Sequence, residues 1–353
     1  MLLALACVGA LTACGSDDPV GETVSGESES PGTEVGADPA GDEGPLVVYA
    51  GRSEELVGPL LEDLEAAVGV PVEVRYGSSA ELAAQLLEEG DATDADLYFS
   101  QDAGALGALA KAGMLAELDD AVIGDIDERY RDSEGRWVAT SARARVLAYN
   151  PEQVPDIEEI DEIDDILEEE FRGRIGYAPT NASFHAFVTA LRVIDGEEEA
   201  REWLTEFAAL EPEAYESNGD VLDAVDRGDV SLGLINHYYW YQKVAELGED
   251  AVTARIHFLD NDDPGALVNV AGVGVLDTTD QETAARAAVQ FLLSDEAQTY
   301  FADETAEYPV VEGISTDIHD LEPLGELDGA QIDLNELDTL EETLALLDEV
   351  GLT

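Results

Sequence analysis

Basic residues are scarce in this chain of 353 residues: 16 Lys and Arg stand against 81 Asp and Glu, for a formal net charge of -65. So large an excess of acid excludes a nucleic-acid partner, because neutralising phosphates needs clustered cations. Cysteine is nearly absent too. Cys7 and Cys14 are the only two, so the chain beyond them holds no disulfide and no cysteine-ligated metal. Long apolar runs end at Ala13, and no later stretch could span a bilayer. Hydrolase signatures are missing as well: there is no Gly-X-Ser-X-Gly turn and no His-Glu-X-X-His helix, which argues against an enzyme. What remains is a folded protein, since 45% of residues are hydrophobic and apolar periodicity runs through most of the chain. Its acid excess reads as a solvated surface suited to salty surroundings, where a screening length of about 3 Å at 1 M salt suppresses self-repulsion.

Residues 1–13 are apolar but too short for a membrane span and read as a secretory leader. Leu11-Thr12-Ala13-Cys14 resembles the lipobox of bacterial lipoproteins, which implies cleavage before Cys14 and a lipid on its sulfur. Residues 15–45 are rich in Gly, Ser, Pro, Asp and Glu and contain no aromatic residue. Such a segment cannot bury enough apolar surface to fold and is expected to be an extended, self-repelling tether. A lipid anchor followed by a tether and a folded body describes a protein held on the outer face of the cytoplasmic membrane.

From Leu46 onward short apolar strands alternate with amphipathic helices, the pattern of an α/β fold. Strands are expected over 46–50, 72–76 and 96–100. Ser53 should cap a helix carrying Leu56, Leu60, Leu61 and Leu64, and Ser78-Ser79-Ala80-Glu81 forms a capping box ahead of the next. A third helix begins near Ala103. The strand-to-helix turns therefore fall at Arg52, Ser78 and Gln101, where parallel sheets form their ligand crevice. Residues 137–150 are too long for one ordinary strand and suit a hinge passing between two lobes. A second α/β unit follows, with a strand over 173–178, a loop over 179–183, helices over 184–194 and 197–210, and a strand–helix pair within 229–247. Residues 267–276 read as a returning hinge strand. The last helix, over 334–350, should place Leu337, Leu340, Leu344 and Leu347 on one face. The carboxylates of 158–170 read as solvated helix faces.

The most informative segment is Asn236-His237-Tyr238-Tyr239-Trp240-Tyr241, directly after a strand. Successive helical positions point about 100° apart, so one core face cannot hide four adjacent aromatic rings. Adjacent phenols at a cleft can converge on one hard cation such as Fe3+, whose charge drives their ionisation. On residue type alone, an aromatic hinge or a stacking shelf fits equally well.

From Leu46 to about Ile318 the chain resembles the bacterial ferric ion-binding proteins of iron ABC importers. The resemblance is carried by Val48-Tyr49-Ala50-Gly51, 80–95, 141–149, 173–177, Asn236 to Tyr241, 263–268 and 306–309. It implies a two-lobed periplasmic-binding-protein fold of type II with two hinge-crossing strands. The lobes would be 46–143 with about 269–319, and 144–268 with about 320–353. It implies that Tyr238 and Tyr239 ligate Fe3+, with carbonate or phosphate as a synergistic anion cradled by Asn181, Ala182, Ser183, Asn218 and Asn236. The partners implied are an ABC permease and ATPase, the binding protein itself being a monomer.

Two departures stand out. Where family members supply a His and a Glu ligand, this chain has Ser53 and Gln101, and Phe184 stands where others have a third tyrosine. Arg52 and Arg143 are expected at the anion, since guanidinium grips oxyanions bidentately; Arg145 and His237 are weaker cleft candidates. A rival reading keeps the fold and changes the cargo to an organic or phosphorus-containing anion such as a phosphonate, held by Asn181, Ser183, Asn218 and the arginines.

Overall fold

The computed structural model describes residues 44–259, 262–316, 318–321, 323–327 and 329–353. The leader with Cys14 lies outside the described residues, as does the tether except for its last two positions. No helix among the described residues is long and apolar enough to cross a membrane.

Among the described residues ten strands form one sheet: β1 (Leu46–Ala50), β2 (Val72–Tyr76), β3 (Leu97–Ser100), β4 (Val138–Tyr149), β5 (Ile175–Tyr177), β6 (Glu213–Ala214), β7 (Leu232–Asn236), β8 (Arg255–His257), β9 (Val268–Val275) and β10 (Tyr308–Pro309). Their order is β2-β1-β3-β9-β4-β7-β5-β6, with β8 and β10 also paired to β4. The helices are α1 (Glu54–Val68), α2 (Ser79–Glu89), α3 (Ala103–Lys111), α4 (Asp120–Ile123), α5 (Ala182–Ile194), α6 (Glu197–Ala209), α7 (Asn218–Arg227), α8 (Tyr238–Leu247), α9 (Glu282–Leu292), α10 (Asp295–Glu304) and α11 (Leu340–Val350).

The long strand β4 organises the sheet. Val138 to Ala144 pair antiparallel with β9, whereas Arg145 to Tyr149 pair with β7. Each end of the sheet is parallel, with β1 beside β2 and β3 in one half and β5 beside β6 and β7 in the other. One apolar core gathers Leu46, Leu60, Leu97, Trp137 and Phe301 in the first half. Two more lie in the second, around Phe184, Phe187 and Trp203, and around Val146, Val221 and Ile235. Burial of such side chains stabilises each half by roughly 1.5–3 kcal/mol per large residue.

Several local expectations change. Ser53 does precede α1, but its side chain is exposed and caps nothing; Ser78, by contrast, accepts the Glu81 N–H at 3.2 Å. The helix α7 was not foreseen because Gly219 and three aspartates are poor helix formers. Ser217 nevertheless caps it through the Asp220 N–H at 3.1 Å, and Val221, Leu222 and Val225 are buried. The acidic run over 158–170 forms short 3-10 turns rather than regular helix, with Ile157, Ile163, Ile166 and Phe171 pointing inward.

The expected final helix is broken. A 3-10 turn over Leu334–Asp338 packs on α3, and α11 starts afresh and packs on α5 and α6. Leu337 and Leu347 are buried as expected, yet Leu344 is 41% exposed, and Thr343 and Leu346 take the inner face. Leu334 and Leu337 belong to the first core and Leu346 and Leu347 to the second, so the C-terminal segment serves both halves. Its seat on α3 needs glycine: a Cβ on Gly104 would sit 2.3 Å from the Leu337 carbonyl oxygen. Gly104→Ala should therefore lower stability by about 1–3 kcal/mol through overpacking, read as a reduced urea midpoint with unchanged slope.

Candidate functional site

Side chains two apart on a strand share a face, and on β4 this brings Arg143 and Arg145 to the same side. Register sets Asn269 of β9 opposite Arg143 and Asn236 of β7 opposite Arg145. These four residues line a cavity of about 20 Å³. Gln101 and Asp102, between β3 and α3, close it from the first half of the sheet. From the second half come Asn181, Ala182 and Ser183 at the start of α5, and Tyr238 at the start of α8. Eight expected site residues thus meet in one place. Asp102 and Asn269 join them unforeseen; their only sequence signal was proximity to Gln101 and to the hinge strand.

The cavity floor is cationic. Arg143 donates through Nη2 to the Gln101 carbonyl oxygen, while its buried Nη1 has no hydrogen-bond partner among the described residues. Arg145 donates through Nη1 to Ser183 Oγ at 3.3 Å, and its buried Nη2 has no partner among the described residues either. Burial lowers the pKa of both groups, that of Arg145 to about 9, so Arg145 remains charged at pH 7. Buried N–H groups without acceptors are costly. A floor carrying two of them suits negative oxygen.

The start of α5 is held from within. Asn181 Oδ1 accepts the Ser183 N–H at 2.9 Å and its Oγ–H at 2.8 Å, and Asn218 Nδ2 donates to Ser183 Oγ at 2.9 Å. Asn218 is itself fully buried behind the loop, its Oδ1 without a partner among the described residues. The loop presents its hydroxyl through this network rather than as a free donor.

At α8 the ring of Tyr238 stacks on Tyr239 with centroids 4.3 Å apart. Burial, then the neighbouring Tyr239, pushes the Tyr238 phenol well above its ordinary pKa; it ionises only when a cation comes against it. Tyr239 is half-buried against the core around Val146 and does not line the cavity. His237 does not face solvent, being fully buried. Its Nδ1 accepts the Ala144 N–H at 3.2 Å and its ring stacks on Tyr308 at 4.3 Å. Burial lowers its pKa to about 4, leaving it neutral behind the tyrosines.

Besides Tyr239, His237 and Asn218, two more expected residues do not line the cavity. Ser53 is exposed. Arg52 is 1% exposed but turned into an ion pair, Nη2 lying 3.0 and 2.9 Å from the two carboxylate oxygens of Glu307. A left-handed Ala306, with φ of 54°, turns the chain ahead of Glu307, and Ser141 Oγ donates to the same carboxylate at 2.6 Å. Burial alone would raise the Glu307 pKa; Arg52 and Arg143 outweigh it and hold the carboxyl below its ordinary range. Arg52 is thus matched internally, which leaves Arg143 and Arg145 as the cavity's cations.

Among the described residues no group of three or more His, Cys, Asp or Glu is placed to hold a metal, so a metal here would depend on the phenols. Two half-sheets sharing one long strand, with a polar cavity where they meet, make this a type II periplasmic binding protein fold. The profile of the bacterial extracellular solute-binding protein family matches residues 92–330. Iron-bound HitA from Pseudomonas aeruginosa superimposes with a TM-score of 0.80 at 34% identity, covering 88% of this chain and 100% of that one. The Fe(3+)-binding periplasmic protein of Serratia marcescens is 31% identical over 322 residues, 90% of this chain and 93% of that protein. The major ferric iron-binding protein of Neisseria meningitidis serogroup B is 30% identical over 309 residues, 87% of this chain and 93% of its own length. The chain belongs to the ferric ion-binding protein family.

Proposed function

We propose that this protein captures Fe3+ together with a synergistic anion outside the cytoplasmic membrane and delivers it to the permease and ATPase of an ABC importer. It acts as a monomer, without catalysis, and is tethered through a lipid on Cys14. The observation that carries this reading is the stacked Tyr238–Tyr239 pair opening α8, with Tyr238 on the wall of the same cavity as Arg143 and Arg145. Phenolate is a hard anionic donor suited to a small trivalent ion. Carbonate or phosphate on the unpaired arginine N–H groups would complete the coordination and offset their charge. Residues 46–143 with 269–319, and 144–268 with much of 320–353, act as lobes that close on the ion.

The relatives favour this cargo over an organic anion: the Serratia marcescens and Neisseria meningitidis proteins are both described as binding ferric iron. The test is optical. Ferric citrate with bicarbonate or phosphate should give the protein an orange to purple phenolate-to-iron band at one equivalent. A colourless protein whose melting temperature rises with a phosphonate would replace iron by an organic cargo.

A further inference from the structure

Two phenolates on a trivalent ion leave one positive charge unmet, and both phenols come from α8, in the second half of the sheet. An ion held only from that side gives the first half nothing to close upon, because a ligand shifts a conformational equilibrium only by binding one state better. The first half does supply a carboxyl oxygen to the cavity. Asp102 is the one carboxylate among the described residues that line it. Its position is fixed: Oδ1 accepts the Ala105 N–H at 3.0 Å as the cap of α3. Burial raises the pKa of this carboxyl, and the Ala105 N–H, the Arg143 charge, Gly104 and Ser79 oppose the rise. An ionised carboxylate offers about four acceptor positions, so the cap leaves room for an ion.

Resting on the iron reading above, we propose that Asp102 is a direct ligand of the cargo ion, supplied from across the cleft to face Tyr238. The charge then balances: one carboxylate and two phenolates neutralise Fe3+, which leaves Arg143 and Arg145 free for the accompanying anion. Closure also becomes conditional on the ion, because ligands from both halves must reach it together. Asp102 thereby provides the acidic ligand that Gln101 does not.

Asp102→Asn tests this, since asparagine caps a helix about as well as aspartate and keeps the side-chain volume. Changes one layer removed from a metal typically cost about 10–100-fold in affinity, so losing a direct ligand should cost at least about 100-fold, measured by citrate competition for ferric ion on the full chain. The phenolate band should persist at saturating iron but move in wavelength, and the iron-free melting temperature should hold. Asp102→Ser, which also caps, should behave alike. Unchanged affinity and wavelength in both variants would overturn the assignment and leave Asp102 a helix cap. A wild-type protein that stays colourless with ferric citrate would instead remove the iron reading itself, an outcome visible before any substitution is made.

Discussion

Replacing Tyr238 and Tyr239 together by phenylalanine should abolish the ferric charge-transfer band and weaken iron binding by more than about 10³-fold, equivalent to about 4 kcal/mol. Phenylalanine keeps both rings, so the 4.3 Å stack and the packing of Tyr239 against the core around Val146 survive. Only two hydroxyls are lost, and a hydrogen bond typically contributes about 1 kcal/mol net. The double variant should therefore fold with a circular-dichroism spectrum and melting temperature close to wild type. Single variants separate the two phenols. Tyr238→Phe removes the hydroxyl already at the cavity wall, whereas Tyr239→Phe removes one that must reach the ion as the cleft adjusts. An unchanged band in the double variant would dismiss the phenols as ligands.

The second large effect concerns stability. Glu307→Ala leaves Arg52 buried without its partner and removes a counter-charge from Arg143. Breaking a buried pair from one side costs about 3–5 kcal/mol, which urea denaturation should show at neutral pH. The pH dependence follows from the depressed Glu307 pKa. A carboxylate held below its unfolded value of 4.5 stabilises the protein fully above that pH, and its contribution fades as pH falls toward the lower folded value. The stability gap between wild type and Glu307→Ala should be widest at neutral pH and shrink below pH 4.5. A gap that is small at pH 7, or that grows on acidification, would contradict the ion pair.

Most of the fold was legible because the signals are local. Short strand-like runs marked β1 and β2, a long β-prone stretch marked the whole length of β4, and its unusual length suited a strand that joins two half-sheets. Of the candidate site, Tyr238 was legible in the aromatic run at a strand end, and Asn236 and Ser183 through the family resemblance. Four features escaped for physical reasons. The fate of Arg52 depended on Glu307, distant in sequence and aimed by a positive φ at Ala306 that no residue type announces. Asn269 enters the site only through the register of β9 against β4. The break at Thr339 reflects competition between two surfaces, α3 and the α5–α6 pair, whereas leucine spacing speaks for one helix alone. Helix propensity likewise hid α7, whose buried Val221 and Val225 outweigh its glycine and aspartates.

The proposed coordination is tested most directly by crystals grown with ferric ion and bicarbonate, measured on either side of the iron absorption edge. The account predicts one anomalous peak in the cavity between β4 and α8, bonded to the hydroxyl oxygens of Tyr238 and Tyr239, with an oxyanion against Arg143 and Arg145. No anomalous peak there, or an organic molecule occupying the cleft with both tyrosine rings turned away, would contradict it.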